Sequence, residues 1–486
     1  MIRCLRIGIV LPSLCLLLAC TTTPPATTLP PAQTRCLQAF VDDDARLAEA
    51  GIHDAQAVRV PDHPYLRVDR LLASFTGSLA TVQQRAAWLE HAAALDAQGR
   101  ALEHARLPQS LSPHGEDELQ ACRTSLSRAL LDDDTAWPAL LAVAEVPDDY
   151  SDTRRALGLY GLTSRLVMHG VKRMQRQAMP HVLDMTAADT VAAERYGLAD
   201  NVAPTEMKSP MPPWPLDALG IPRIDAEQLA HLLPRYAPAL SVVTASADDL
   251  PGQVIRPSPP YLDTTQPTLY TQLAYTRFGD HVLPQLVYTW WFAARTARGV
   301  IDPLAGKLDG LSWRVTLDSD GEPLAYDLVH NCGCYHMFFP GERLRARELT
   351  DDSAEPPWIP FAVPTQWQGR LRLILASGSH YLTALAPAGS AVPDHRYQLA
   401  SYDALRNLPT GERHSSLFDT NGLVPGSARS ERWWLWPMGV VAPGSMRQWG
   451  HQATAFVGRR HFDEARLLER YFERASSLSA PASSTD

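Results

Sequence analysis

Beyond residue 19 the chain has no apolar run long enough to cross a bilayer, so a bundle of transmembrane helices is excluded. It has no excess of positive charge. With 44 Lys and Arg against 53 Asp and Glu the formal net charge is −9. No polybasic stripe is present to follow a phosphate backbone, which argues against a nucleic-acid partner. The recognisable catalytic signatures are missing too. There is no His-Glu-x-x-His helix, no phosphate-binding glycine loop with lysine, and no Gly-x-Ser-x-Gly elbow around Gly378-Ser379-His380. No internal repeat is visible, which counts against solenoids and propellers.

What is present begins at the amino terminus. Arg3 and Arg6 precede an apolar stretch ending at Ala19 that is shorter than a spanning helix and carries Pro12. The stretch closes on Leu17-Leu18-Ala19-Cys20, which resembles the lipobox of bacterial lipoproteins. That resemblance implies a signal peptide over 1–19, cleavage before Cys20 and acylation of its sulfur and new amine. It covers the first twenty residues only. Thr21 follows, not the Asp associated in that class with inner-membrane retention, so the expectation is an outer-membrane anchor with the body on the periplasmic side. Residues 20–34 are rich in Thr and Pro and read as an extended lipidated tether.

Seven cysteines occur in the chain. Cys4 and Cys15 fall in the signal and Cys20 is the anchor, leaving Cys36, Cys122, Cys332 and Cys334. An even number in an oxidising compartment makes disulfides the default, with Cys36–Cys122 the obvious pair and Cys332–Cys334 the other candidate.

The expected fold class is α+β. Residues 35–200 read as a mainly helical domain: Thr81–Leu102, Glu118–Leu131 and Arg154–Gln177 carry Leu and Ala at three- and four-residue spacing. A Pro-rich connector over 201–239 follows, with a short helix after Asp225 that Pro234 should end. From 240 to 475 the pattern becomes strand-like and Trp-rich, in Pro284–Phe292, Leu311–Leu317 and Arg370–Ala376, with Asp318-Ser319-Asp320-Gly321 as a hairpin turn. A final helix is expected over Asp463–Ala475, and 476–486 reads as a disordered tail. Nine of the twelve tryptophans lie from Trp290 onward, which suits a packed β core or a platform for sugar rings.

One segment concentrates reactive side chains: His330-Asn331-Cys332-Gly333-Cys334-Tyr335-His336. On the return strand of the hairpin, alternation places His330, Cys332, Cys334 and His336 on one face. Such donors suit zinc, copper or iron. A straight strand would set the two histidines roughly 20 Å apart, too far for one ion, unless Gly333 supplies a bend. Three readings stay open here: a metal site, a Cys332–Cys334 disulfide, or packed unmodified residues. His451 and His461 near the end could complete a metal set or act as acid and base. Two functions follow. One is a lipid-anchored binding or envelope-organising protein whose partner is an envelope protein or glycan, with Cys332–Cys334 oxidised. The other is a periplasmic metal-dependent enzyme or metal-binding protein using the His-x-Cys-x-Cys-x-His segment.

Overall fold

Apolar spacing produces three long helices near the start of the computed structural model, which describes residues 30–108, 115–199, 214–299, 302–349, 354–367, 370–389 and 392–475. Cys20, most of the expected tether, the greater part of the Pro-rich connector and the tail from 476 lie outside the described residues. Helix Val82–His104 begins on a reciprocal cap. The Gln84 amide donates to the Thr81 hydroxyl at 3.1 Å while the Gln84 side chain accepts from the Thr81 amide at 3.1 Å. It packs with helices Pro31–Glu49 and Glu116–Asp132 against the hairpin Val58–Val60/His63–Val68. Phe40, Leu66, Trp88, Trp137 and Leu140 form their core. The Cys36–Cys122 disulfide ties the first of these helices to the last. The first helix starts at Pro31, within the stretch expected to be extended, because proline has no amide to lose at the first helical position.

Beneath these helices lies a largely buried ionic network. Arg67 and Arg100 are fully buried and share Asp96, while Arg67 also donates to Glu103 at 2.6 Å and Arg100 to Asp44 at 2.8 Å. Backbone carbonyls of Asp54 and Pro64 take their remaining nitrogens. Asp54 in turn receives both forks of Arg406 at 2.8 Å, fastening this region to the C-terminal half.

An eleven-stranded mixed sheet dominates the rest. Five strands form an antiparallel meander: Thr268–Phe278, His281–Arg295, Gly306–Leu317, Pro323–His330 and Met337–Pro340. The first of them pairs in parallel with His395–Ser401, and the sheet continues through Glu194–Leu198, Ala239–Val242, Leu371–Leu375, Leu382–Pro387 and His181–Val182. Both faces of the meander are covered. Leu286, Tyr288, Trp290 and Phe292 enter one apolar cluster, whereas Trp291 points into another with Tyr402, Leu405 and Met446. The Asp318–Gly321 turn forms as expected, with the Gly321 amide on the Asp318 carbonyl at 2.9 Å and Gly321 at φ +78°.

The mixed α+β class holds, and several local expectations are corrected. Strands Glu194–Leu198 and His181–Val182 belong to the large sheet, so sheet residues precede the expected boundary at 200. The helix expected over Arg154–Gln177 is two helices, Asp152–Leu157 and Tyr160–Gln177, broken where Leu159 takes φ +50°. Helix Ala226–Tyr236 runs two residues past Pro234, which lies in its last turn and removes only the bond to the Ala230 carbonyl. The final segment is helical only over Leu467–Tyr471. Phe472–Arg474 then pairs as a strand with Leu344–Ala346, placing Phe472 in an apolar cluster with Phe338.

Candidate functional site

The return strand ends at His330, and the next residues reverse the chain. The His330 amide donates to the Cys334 carbonyl at 2.9 Å and the Gly333 amide to the His330 carbonyl at 2.7 Å. Gly333 at φ +91° and Tyr335 at φ +59° make the turn, and the chain returns antiparallel as Met337–Pro340. The straight-strand alternative over 330–336 is therefore corrected, and the bend lies at Gly333, the residue named in the sequence as able to supply it. A Cβ on Gly333 would meet the Ala453 carbonyl oxygen at 2.3 Å. The turn thus rests against the 446–456 segment, where Arg447 donates to the Cys332 carbonyl at 3.2 Å and its amide to the Asn331 carbonyl at 2.9 Å.

Between this turn and helix Tyr160–Gln177 lies a cavity of about 250 Å³. Val171, Met174, Leu435, Trp358 and Phe456 give it apolar walls, while His330, His336, Arg295, Arg429, Glu355 and Glu431 bring charge and hydrogen-bonding groups. Sites for small molecules usually range over roughly 300–1,000 Å³, so this one suits a small ligand.

His336 is fully enclosed, with Nε2 2.9 Å from Asp327 Oδ2. Arg314 holds Asp327 from the other side, its Nε donating at 2.9 Å. With the proton on Nε2 shared with the carboxylate, Nδ1 carries the lone pair, and Nδ1 has no partner. Burial lowers the pKa of His336 to about 4 despite the neighbouring carboxylate, so the ring is neutral at neutral pH. His330 is the second such ring. Its Nδ1 stands 3.9 Å from Asp309 Oδ1, its Nε2 is unpartnered, and burial lowers its pKa as well.

Asp309 is the hub behind His330. His380 approaches it through Nδ1 at 2.8 Å, Arg429 donates at 2.8 Å, and Asp249 lies 3.3 Å from the far nitrogen of His380. Burial alone would raise the Asp309 carboxyl. Arg429 and the histidines outweigh it and hold the group well below the usual carboxylate range. The same two aspartates raise His380 against the pull of burial. Glu355 and Glu431, both raised by burial, face the cavity with less compensation. Arg295 donates to the Tyr381 hydroxyl at 3.0 Å.

Cys332 and Cys334 stand as two free thiols, not as the disulfide expected of the binding-protein reading. They share a hydrogen bond between their sulfurs. That bond, helped by Arg429, lowers the Cys332 thiol, while Cys334 is pushed well up by the same bond and by burial.

The six residues singled out as metal donors are not brought together as one set. His330 stands beside Asp309, Cys332 against Cys334, and His336 on Asp327. His451 and His461 meet elsewhere, on Asp149: His451 Nδ1 is 3.1 Å from one carboxylate oxygen and His461 Nε2 3.5 Å from the other, while His451 Nε2 bonds the Ala55 carbonyl at 2.8 Å. Among the described residues no group of three or more His, Cys, Asp or Glu side chains is placed to hold an ion. Sequence reading missed Asp309, Asp327, Arg429 and Trp358. Asp309 lies 71 residues from His380 and 120 from Arg429, and no local pattern signals such partners.

No family model and no curated protein matches the chain. One solved structure with some similarity is described as NLPPya in complex with mannosamine. It is 15% identical, covering 42% of this chain and 81% of that one at a TM-score of 0.23. A TM-score that low carries no argument about fold or ligand.

Proposed function

We propose that the chain is an outer-membrane lipoprotein, anchored through Cys20 with its body in the periplasm, and that this body binds a small hydroxylated ligand in the cavity beneath the 331–336 turn. The anchor rests on Leu17-Leu18-Ala19-Cys20. Among the described residues no helix is long and apolar enough to cross a membrane, which is compatible with attachment by lipid alone.

The ligand reading is carried by one observation: His330 and His336 line the same cavity, and each leaves a buried ring nitrogen without a partner. An orphaned buried polar atom costs about 1–3 kcal/mol, and a ligand that donates to it recovers that cost. Neutral imidazole lone pairs accept from hydroxyl or amine groups. The Trp358 indole N–H, also without a partner and in the same lining, offers a donor. Apolar walls of Val171, Met174 and Trp358 suit the C–H face of a ring. A hydroxylated ring such as a sugar meets all three demands, in keeping with a glycan partner in the envelope.

The test is native mass spectrometry of the full chain released from envelopes in mild detergent, followed by thermal titration with neutral and amino sugars. The expected result is a small non-covalent adduct, or a sugar-dependent rise in Tm, lost in His330→Phe/His336→Phe. A wild-type chain without adduct and indifferent to every sugar would refute the reading. So would a double variant that binds as well as wild type.

A further inference from the structure

We infer that the outer face of helix Tyr160–Gln177, together with the adjoining segment 432–438, is a membrane-docking surface that lies on an anionic bilayer. The inner side of the helix is occupied, since Val167, Val171 and Met174 line the cavity. The outer side carries Leu162 and Leu166 at 66% and 77% exposure, one helical turn apart, continuing into Leu157 and Leu159. Beside it, the short helix Arg432–Leu435 presents Trp433 and Trp434, 67% and 75% exposed. The two pieces adjoin, since residues 436–438 pack against helix Tyr160–Gln177 and against the short helix Asp152–Leu157 before it. Gly158 approaches so closely that a Cβ there would lie 2.4 Å from Pro437 Cβ, and Arg155 donates to the Met438 carbonyl at 2.9 Å.

Exposed apolar residues scattered singly need no explanation. Four leucines and two tryptophans on adjoining elements do. Charge indicates what covers them. Helix Tyr160–Gln177 holds Arg165, Lys172, Arg173 and Arg176 and no acidic residue, in a chain of net charge −9. Not one of these four cations pairs with a carboxylate among the described residues, whereas Arg67, Arg100, Arg429 and Arg459 elsewhere each do. Exposed tryptophan and leucine beside unpaired Lys and Arg is the composition of an element lying in the headgroup region of an anionic membrane. A second copy of the chain fits poorly, because a two-fold contact through this face would bring the two sets of four cations together.

The inference uses the lipid-anchor reading only to bring a bilayer near, and the experiment separates the two. The full chain is mixed with an excess of phosphatidylglycerol/phosphatidylcholine vesicles whose acyl chains are brominated, and tryptophan quenching and flotation are measured. Docking predicts strong quenching that weakens at high salt. It should be mostly lost in Trp433→Ser/Trp434→Ser, and in a second variant, Leu162→Ser/Leu166→Ser, that leaves every tryptophan in place. Lys172→Glu/Arg173→Glu/Arg176→Glu should remove the preference for phosphatidylglycerol. Flotation without quenching overturns the docking surface while leaving the anchor standing. Quenching unchanged in both apolar variants, or a dimer that dissociates in Trp433→Ser/Trp434→Ser, also overturns it. Quenching without flotation upholds the docking surface and counts against the anchor at Cys20 alone.

Discussion

Two regions of this molecule bury charge with equal thoroughness and finish differently. Under the N-terminal helices, Arg67 and Arg100 have every guanidinium nitrogen bonded to Asp96, Glu103, Asp43, Asp44 or a backbone carbonyl. Around the 331–336 turn, Asp309, Asp327, Arg314 and Arg429 are as deeply buried, yet His330, His336 and Trp358 leave polar atoms unpaired beside a cavity. A closed network holds a fold together. Arg59 Nε and Arg123 Nε at the edge of the first network, and atoms of Gln56, Arg70, Gln272 and Asp463 around a second cavity, also lack hydrogen-bond partners. What sets the 331–336 turn apart is two neutral imidazole nitrogens and an indole N–H on one cavity with apolar walls.

The contrast can be broken experimentally, most forcefully on the closed side. Removing the disulfide with Cys36→Ser/Cys122→Ser releases a loop of 86 residues and should cost about 4–5 kcal/mol in the chain-entropy model, read from urea midpoints. Asp96→Ala strands buried Arg67, Arg100 and Arg123 around a missing carboxylate. Its expected cost is about 3–5 kcal/mol by the same measurement. A loss below about 1 kcal/mol would show that the network is not structural.

Effects at the site should be smaller and of another kind. Gly333→Ala forces a Cβ onto the Ala453 carbonyl and an unfavourable φ, and should destabilise by about 1–3 kcal/mol while shifting the near-ultraviolet signal of Trp358. His336 links the site to pH. Its folded pKa of about 4 lies below the unfolded value near 6.5, so the unfolded chain binds the extra proton in that window. Stability therefore falls as pH drops from about 6.5 to about 4. His336→Phe should remove part of this acid slope. His380, raised when folded, works in the opposite sense: its contribution is full below the unfolded value and is lost as pH rises through the folded one. An unchanged acid slope in His336→Phe would contradict the neutral-ring assignment.

Signals in the sequence are legible where the physics is local. Thr81 with Gln84 starts a helix, Asp318–Gly321 turns a hairpin, and Cys36 finds Cys122, the disulfide that an oxidising compartment favours. The segment 330–336 was legible as the dense reactive cluster but not in shape. Gly333 marks where a bend is possible, but period-two alternation cannot foresee that Tyr335 also takes positive φ and that the strand folds back on itself. The histidines' partners were illegible for another reason. Asp309 and Asp327 sit within strands whose neighbours read as ordinary buried sheet, and their roles emerge only when His330, His380 and Arg429 converge on them. His451 and His461, read as completing a metal set or acting as acid and base, are instead brought to each other on Asp149, a partner 302 residues before His451 that no local pattern signals.

The most direct test compares His330→Phe/His336→Phe with Asp96→Ala, measuring unfolding free energy and ligand adduct on the same full-length preparations. The histidine pair should abolish the adduct and cost about 1–3 kcal/mol, since His336→Phe also takes the Nε2 hydrogen bond from Asp327, which Arg314 still holds, while the other ring nitrogen lost has no partner within the protein. Asp96→Ala should lose about 3–5 kcal/mol, with the adduct retained in the molecules that stay folded. A histidine variant as unstable as Asp96→Ala, with its adduct intact, would mean that His330 and His336 are structural and that the cavity is not the site.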